Sequence, residues 1–124
     1  MEPTNQPAYQ YLAKEVRDAI PMLYSTENVD TPDKTIVAKF FMPEGAGTWY
    51  VVEGSTWDGD DAHNRPLTEW QEGEDALFFG LVDLLEREWG YFTLNELRAA
   101  RGPFLGLPIE RDLYFSPKPA SEVA

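Results

Sequence analysis

The strongest constraint on the fold is a pair of strand-like runs joined by a turn-forming stretch. TIVAKFFM (35–42) and TWYVVEGS (48–55) are rich in β-branched and aromatic residues, and PEGAG (43–47) lies between them. Such residues favour pleated, half-buried backbone, and a short glycine-containing connection favours antiparallel pairing. The sequence therefore predicts a β-hairpin over residues 35–55.

Three further segments show helix or strand patterns. AYQYLAKEVRDAI (8–20) has apolar residues at helical spacing and ends before Pro21, which predicts an amphipathic helix. ALFFGLVDLL (76–85) predicts a third strand, with a helical alternative near Leu84. WGYF (89–92) predicts a short edge strand.

TLNELRAARG (93–102) has the start and stop signals of a short helix. Thr93 is followed three residues later by Glu96, which is the spacing of a capping box. Gly102 and Pro103 then favour termination of the helix. The sequence predicts a second helix at about 93–101.

The last segment with a clear pattern is IERDLYF (109–115), whose alternation of apolar and charged residues predicts a half-buried strand. Together these segments predict an α+β fold, with a four- to five-stranded antiparallel sheet and both helices packed on one face. The predicted core residues are Phe40, Val51, Phe78, Leu81 and Leu113.

The length and composition indicate one domain over residues 1–124, with a loose tail at 116–124. The absence of cysteine excludes disulfides and thiolate zinc sites. No apolar run approaches the roughly 18 to 20 residues that span a bilayer. Because the N-terminus MEPTNQPAYQ also lacks the pattern of a signal peptide, we expect a cytoplasmic protein.

The charge is large, at −12, and it is unevenly distributed. Thirteen acids and two arginines lie between Glu44 and Glu96, whereas the last 27 residues carry four basic and three acidic side chains. This balance argues against direct binding of nucleic acid or of an anionic membrane. It favours a basic protein surface or a cation as partner, although the charge could also serve only solubility.

The stretch TWDGDDAH (56–63) is the most acidic place to test for a metal site. Asp58, Asp60 and Glu69 match the first, third and twelfth positions of an EF-hand loop. Ala62 and His63 stand at the fifth position and at the turn glycine, however, which argues against calcium. His63 is the only histidine, so a transition-metal site is also disfavoured, and we expect no cofactor.

Catalytic patterns are equally weak in this sequence. With no cysteine and one histidine, the serines lack an evident base and orienting group. No pair of carboxylates stands out in an apolar setting that would raise one pKa. The glycines of GAG (45–47) lie in the predicted hairpin turn and do not form a phosphate-binding loop. An enzyme is therefore the least favoured class.

Three stretches carry a resemblance to a known family: VAKFFMPEGAGTWYVVEG, LFFGLVDLLEREWGYFTLNELRAARG and LGLPIERDLYF. They resemble the bacterial, plasmid and phage family called domain of unknown function twenty-nine fifty-eight, over roughly residues 9 to 119. The resemblance implies a compact α+β domain, often encoded on mobile elements near anti-restriction and conjugation genes. The family has no established catalytic residues, so the resemblance assigns none.

The chain departs from the family pattern between the second strand and FFGLVD, where it carries the extra stretch STWDGDDAHNRPLTEWQEGED. We interpret residues 56–75 as an acidic inserted loop outside the core, which Trp57 and Trp70 could anchor. Loops on rigid scaffolds often carry function.

The leading hypothesis from the sequence is a non-enzymatic, monomeric or small homo-oligomeric protein of a phage or mobile element. Its acids would imitate DNA phosphates and occupy a basic, nucleic-acid-binding surface of a host defence complex, as an anti-CRISPR or anti-restriction inhibitor. The predicted partner-binding residues are Asp58, Asp60, Asp61, Glu69, Glu72, Glu74 and Asp75, with Glu86 and Glu88 as outliers. The alternative is an accessory or regulatory module that binds proteins through an exposed aromatic sheet face around residues 49, 50, 89 and 91.

Overall fold

The computed structural model describes residues 10–123, and in this part of the chain the fold is α+β, as predicted. The α-helices and β-strands, in chain order, are α1 (Lys14–Ala19), β1 (Thr35–Ile36), β2 (Ala38–Phe41), β3 (Thr48–Trp57), β4 (Asp75–Asp83), β5 (Arg87–Thr93), α2 (Leu94–Ala99), β6 (Glu110–Arg111) and β7 (Lys118–Pro119). Within residues 10–123, no helix is long and apolar enough to cross a membrane.

Five strands form one antiparallel sheet in the order β5-β4-β3-β2-β6, and β1 pairs with β7 in a separate two-stranded sheet. The predicted hairpin is confirmed, since Ala38 pairs with Val51 and Phe41 pairs with Thr48. Its turn includes Gly47, which has a φ of 153°, a backbone conformation that residues with a Cβ rarely adopt. The predicted edge strand is also confirmed as β5.

One face of the large sheet carries the main core. Aromatic rings from β2, β4 and β5 contact one another there, with Phe78 centred 6.4 Å from Phe40 and 5.5 Å from Phe92. Both helices pack on this face, α1 through Val16 and α2 through Leu94. The helix placement and four of the five predicted core residues are therefore confirmed; the four are Phe40, Val51, Phe78 and Leu81.

The second face of the sheet has a smaller apolar cluster that includes Ile36, Val52, Leu81 and Ala120. The C-terminal segment covers part of this face, because β7 pairs with β1 and buries Ala120 beside it. The tail that was expected to be loose therefore contains an ordered strand. Residue 124 lies outside the described residues.

The predicted helix at 8–20 is shorter in the structure. It begins at Lys14, and Tyr11, which precedes it, is buried and donates a hydrogen bond from its hydroxyl to the Ile109 carbonyl oxygen (2.8 Å). Residues 8 and 9 of the prediction lie outside the described residues.

The prediction of a strand over 109–115 is wrong beyond Arg111, and Leu113 is 69% exposed instead of buried. The reason is Asp112, which ends the strand with a turn. Its carboxylate accepts a hydrogen bond from the Tyr114 backbone N–H (2.9 Å), and its carbonyl oxygen accepts one from the Phe115 N–H (3.4 Å). A side-chain acceptor placed two residues before its donor competes with strand pairing in this way.

Candidate functional site

Residues 58–74, which we call the acidic segment, connect β3 to β4 across one end of the sheet. The strands extend further than predicted, so residues 56 and 57 belong to β3 and Asp75 begins β4. Two single-turn 3-10 helices, Asp61–His63 and Leu67–Glu69, give the segment a folded path.

The first turn of the acidic segment is held by its own carboxylates. Asp58 Oδ1 accepts a hydrogen bond from the Asp60 backbone N–H (3.1 Å), and Asp60 Oδ1 accepts one from the Ala62 N–H (2.9 Å). His63 Nδ1 lies 2.8 Å from Asp58 Oδ2. The hydrogen bond between the two side chains raises the pKa of His63 and lowers that of Asp58, and the attraction of the two charges adds to both shifts.

Asp61 joins the acidic segment to the loop that follows α1. The Tyr24 hydroxyl donates a hydrogen bond to Asp61 Oδ1 (2.9 Å), and this bond to the carboxylate raises the pKa of Tyr24 to about 12. Tyr24 has a φ of 70°, which is unusual for a residue with a Cβ, and its backbone N–H donates to Glu53 Oε1 (2.8 Å). The bond to Asp61 holds the loop against the acidic segment, and the bond to Glu53 holds it against β3.

The second half of the acidic segment is part of the core, which corrects the expectation of a loop outside it. Leu67 and Trp70 are buried in the main core. The Trp70 indole N–H donates to the Glu74 carbonyl oxygen (2.9 Å), and the Arg17 guanidinium lies 5.6 Å from the indole ring centre. Trp70 anchors the segment, as predicted, whereas Trp57 lies at the end of β3.

Two of the predicted partner-binding acids, Glu74 and Asp75, are half-buried and have internal roles. Glu74 forms an ion pair with Arg65 and accepts a hydrogen bond from the Gln71 backbone N–H (2.8 Å). Asp75 Oδ1 accepts a hydrogen bond from the backbone N–H of Asn95 (2.9 Å), at the start of α2.

The other five predicted acids are exposed, and we call them the exposed acids: Asp58, Asp60, Asp61, Glu69 and Glu72. The two outliers are not near them. Glu86 and Glu88 come after the end of β4 that is far from the acidic segment. The two ends of β4 are separated by the length of nine strand residues, each with a rise of about 3.3 Å.

An aromatic strip lies on the second face of the sheet, formed by Phe79 of β4 with Trp89 and Tyr91 of β5. The Phe79 ring is centred 5.7 Å from Trp89 and 5.1 Å from Tyr91. Tyr91 is 54% exposed. Of the four aromatic positions in the alternative hypothesis, Trp89 and Tyr91 lie in this strip.

The other two positions, Trp49 and Tyr50, are not in the strip. Tyr50 is buried, and Trp49 packs against the core on the opposite face. Phe79 was not singled out from the sequence. The period-two alternation of β4 would have placed it on the face opposite the buried Phe78.

Negative charges act on Tyr91, the exposed member of the aromatic strip. The pKa of Tyr91 is raised, first by partial burial and then by the charges of Glu53, Asp61 and Glu27. Asp61, one of the exposed acids, is thus among the charges that act on the strip. An exposed aromatic face in a negative field favours cationic groups.

Glu53 is the one carboxylate of the described chain that is buried, at 3% exposure. Its oxygens accept hydrogen bonds from the backbone N–H groups of Tyr24 and Thr26 and from the Thr26 hydroxyl. Lys34, also buried, donates to the carbonyl and hydroxyl oxygens of Thr26. The network satisfies a buried charge and fixes the loop after α1, which is a structural role that the sequence did not reveal.

Among residues 10–123, no group of three or more histidine, aspartate, glutamate or cysteine side chains could hold a metal ion. The fold and the site together define a small α+β domain with an acidic segment at one end of its sheet and an aromatic strip on the second face.

Residues 66–122 match the model of the family described as protein of unknown function (DUF2958). This is the family that the sequence motifs resemble, so the resemblance is confirmed for that part of the chain. The match begins within the acidic segment and includes β4, β5 and α2. The chain has no significant match among curated proteins or solved structures.

Proposed function

We propose that this protein is a non-enzymatic interaction protein that binds a basic protein surface through the exposed acids. The observation that carries the proposal is that these acids lie on a folded segment anchored in the core by Trp70. Their positions are thus restricted before a partner arrives, which reduces the entropy that binding must overcome. A field from fixed carboxylates also accelerates encounter with a basic partner.

The partner that we propose is the nucleic-acid-binding surface of a host defence complex in the cytoplasm. Such surfaces are lined with lysine and arginine side chains that neutralise phosphates. Carboxylates at the same surface would compete with nucleic acid for those side chains. The family resemblance to proteins of phages and mobile elements supports this choice of partner.

The test compares two variants with equal net charge. The exposed-acid variant replaces four carboxylates with amides: Asp58→Asn, Asp60→Asn, Glu69→Gln and Glu72→Gln. The control variant changes four exposed acids elsewhere: Asp30→Asn, Asp33→Asn, Glu110→Gln and Glu122→Gln. Each variant has a net charge of −8, because four of the negative charges contributing to −12 are removed. Asp61 is retained in both because of its hydrogen bond with Tyr24.

The immobilised parent protein is first used to capture proteins from a bacterial lysate at low salt, and captured proteins are eluted with duplex DNA. We expect the captured proteins to include nucleic-acid-binding proteins that duplex DNA releases from the immobilised protein. Binding of a purified captured protein should be weaker for the exposed-acid variant, mainly through slower association, and close to that of the parent for the control variant. Equal binding by the exposed-acid variant and the parent would refute the proposal.

Salt dependence separates this function from the alternative, an aromatic protein-binding module. Binding through the exposed acids should weaken steeply as ionic strength rises, because exposed charges are screened. Binding through an aromatic interface alone should change little.

A further inference from the structure

The outer edge of β5 is open to another strand. Among residues 10–123, β5 pairs only with β4. The register is continuous, from Leu77 opposite Thr93 to Asp83 opposite Arg87. An edge strand has backbone N–H and C=O groups that point away from its single neighbour, and an extended peptide can pair with them.

Features that usually protect an edge strand are few in β5. The strand is seven residues long and contains neither proline nor a bulge. Gly90, at its centre, has open space where a side chain would stand, since an added Cβ would meet no atom within 4 Å. The opposite edge of the sheet is β6, which has two residues and offers a much shorter template.

The side chains beside this edge favour a cationic group. Tyr91 of β5 is exposed and packs against Phe79, and the carboxylates of Glu53 and Asp61 act on it. Arg87 is the basic residue of β5, and its guanidinium pairs with Asp83 (2.8 Å), which offsets its charge. A guanidinium or ammonium group over an aromatic ring is attracted by the ring, and nearby carboxylates add to that attraction.

We propose that the β5 edge binds an extended, arginine- or lysine-containing segment of a partner protein by strand addition, with a cationic side chain over the aromatic strip. The inference rests on the proposed function, because the basic partner is the same. A second copy of this chain is disfavoured as the occupant, since pairing two β5 edges would bring together two chains of net charge −12.

The probe is a short, end-capped and fluorescently labelled peptide of alternating arginine and valine, and binding is measured by fluorescence anisotropy. A second peptide has the same side chains but N-methylated valines, which removes alternate backbone donors. We expect saturable binding of the first peptide, and binding weaker by about tenfold for the methylated peptide and for Tyr91→Ala. Tyr114→Ala is the matched control, because Tyr114 is exposed and lies outside the strip. Circular dichroism verifies that both variants are folded.

If the methylated peptide bound as tightly as the unmethylated peptide, the attraction would be due to charge alone. This result would overturn strand addition. Unchanged binding by Tyr91→Ala would overturn the role of the strip. A third result, dimerisation of the free protein that Tyr91→Ala abolishes, would identify a second copy as the occupant and also overturn the inference.

The proposed function is judged separately, from capture with the exposed-acid variant. If that variant loses its captured partner while Tyr91→Ala binds the peptide normally, the proposed function stands and the strand-addition inference fails. If only Tyr91→Ala loses binding, the acidic segment is not the partner-binding surface.

Discussion

The start of α2 is held by two side chains from different parts of the chain, and removing them gives a quantitative test of the structure. Thr93 Oγ1 accepts a hydrogen bond from the Glu96 backbone N–H (3.1 Å), as the capping box predicts. Asp75, from β4, accepts one from the adjacent Asn95 N–H (2.9 Å). The first residue of the helix, Leu94, is fully buried, so fraying of this end would expose part of the core.

The expected losses differ between the two side chains. Thr93→Ala removes a neutral cap and should lower the free energy of unfolding by about 1 kcal/mol. Asp75→Ala removes a hydrogen bond to a charged acceptor, which is worth about 1.5–3 kcal/mol. Asp75→Asn retains a side-chain oxygen and loses only the attraction of the charge to the helix N-terminus, about 0.3–1 kcal/mol.

The double variant of Thr93 and Asp75 should lose less than the sum of the single losses. Both side chains hold the same turn, and once that turn frays the second cap has less to stabilise. Urea unfolding followed by tryptophan fluorescence measures each loss, and a 1 kcal/mol loss corresponds to about 4 °C in Tm for a chain of this length.

Thr68→Ala is the control, because Thr68 is exposed and lies outside α2. It should change the stability little. If Thr93→Ala also left the stability unchanged, or if the Asp75 variants showed no loss, the helix would not begin where the structure places it.

Three shorter predictions test other parts of the molecule. An NMR titration should give His63 a pKa above 6.5, and Asp58→Asn should lower that pKa. Because the pKa of His63 is raised in the folded state, its contact with Asp58 stabilises the fold at pH values below the pKa of the unfolded state. This stabilisation is lost as the pH rises through the pKa of the folded state. Gly54→Ala should cost about 1–3 kcal/mol through crowding of side chains. Gly80→Ala should cost more in the same urea assay, because the new Cβ would lie 1.7 Å from a backbone carbonyl oxygen of β3, and equal losses would contradict this geometry. Trp70→Ala should lower the unfolding free energy by about 3–5 kcal/mol, and a small loss would mean that the acidic segment is not anchored in the core.

Much of the fold was predictable because the signals are local. The hairpin follows from two β-branched runs around a glycine turn, and α2 follows from Thr93, Glu96 and Gly102. The error at Leu113 has a local cause that pattern matching ignored. Alternation predicted a strand, but Asp112 supplies a side-chain acceptor that turns the chain.

The roles of the acids were much less predictable, because they depend on contacts distant in sequence. Asp75 accepts from a residue 20 positions away, and Asp61 accepts from one 37 positions away. Glu53 is an acid in a strand, and only the path of the loop after α1 explains its burial. Composition identified where the charge is concentrated but did not separate structural carboxylates from exposed ones.

In the acidic segment, the residues that hold the fold differ from the acids that are available to a partner. The segment is anchored in the core through Trp70, and Asp75, which follows it in β4, holds the start of α2, whereas Glu69 and Glu72 are exposed. The four amide substitutions of the exposed-acid variant therefore change the field, while the Trp70 anchor and the Asp61–Tyr24 hydrogen bond remain. The amide oxygens at positions 58 and 60 can still accept the backbone hydrogen bonds of the first turn. Replacing Asp75 as well would weaken the fold and confuse lost binding with lost structure. A binding defect in the exposed-acid variant, at unchanged stability, would thus be a measure of electrostatic recognition.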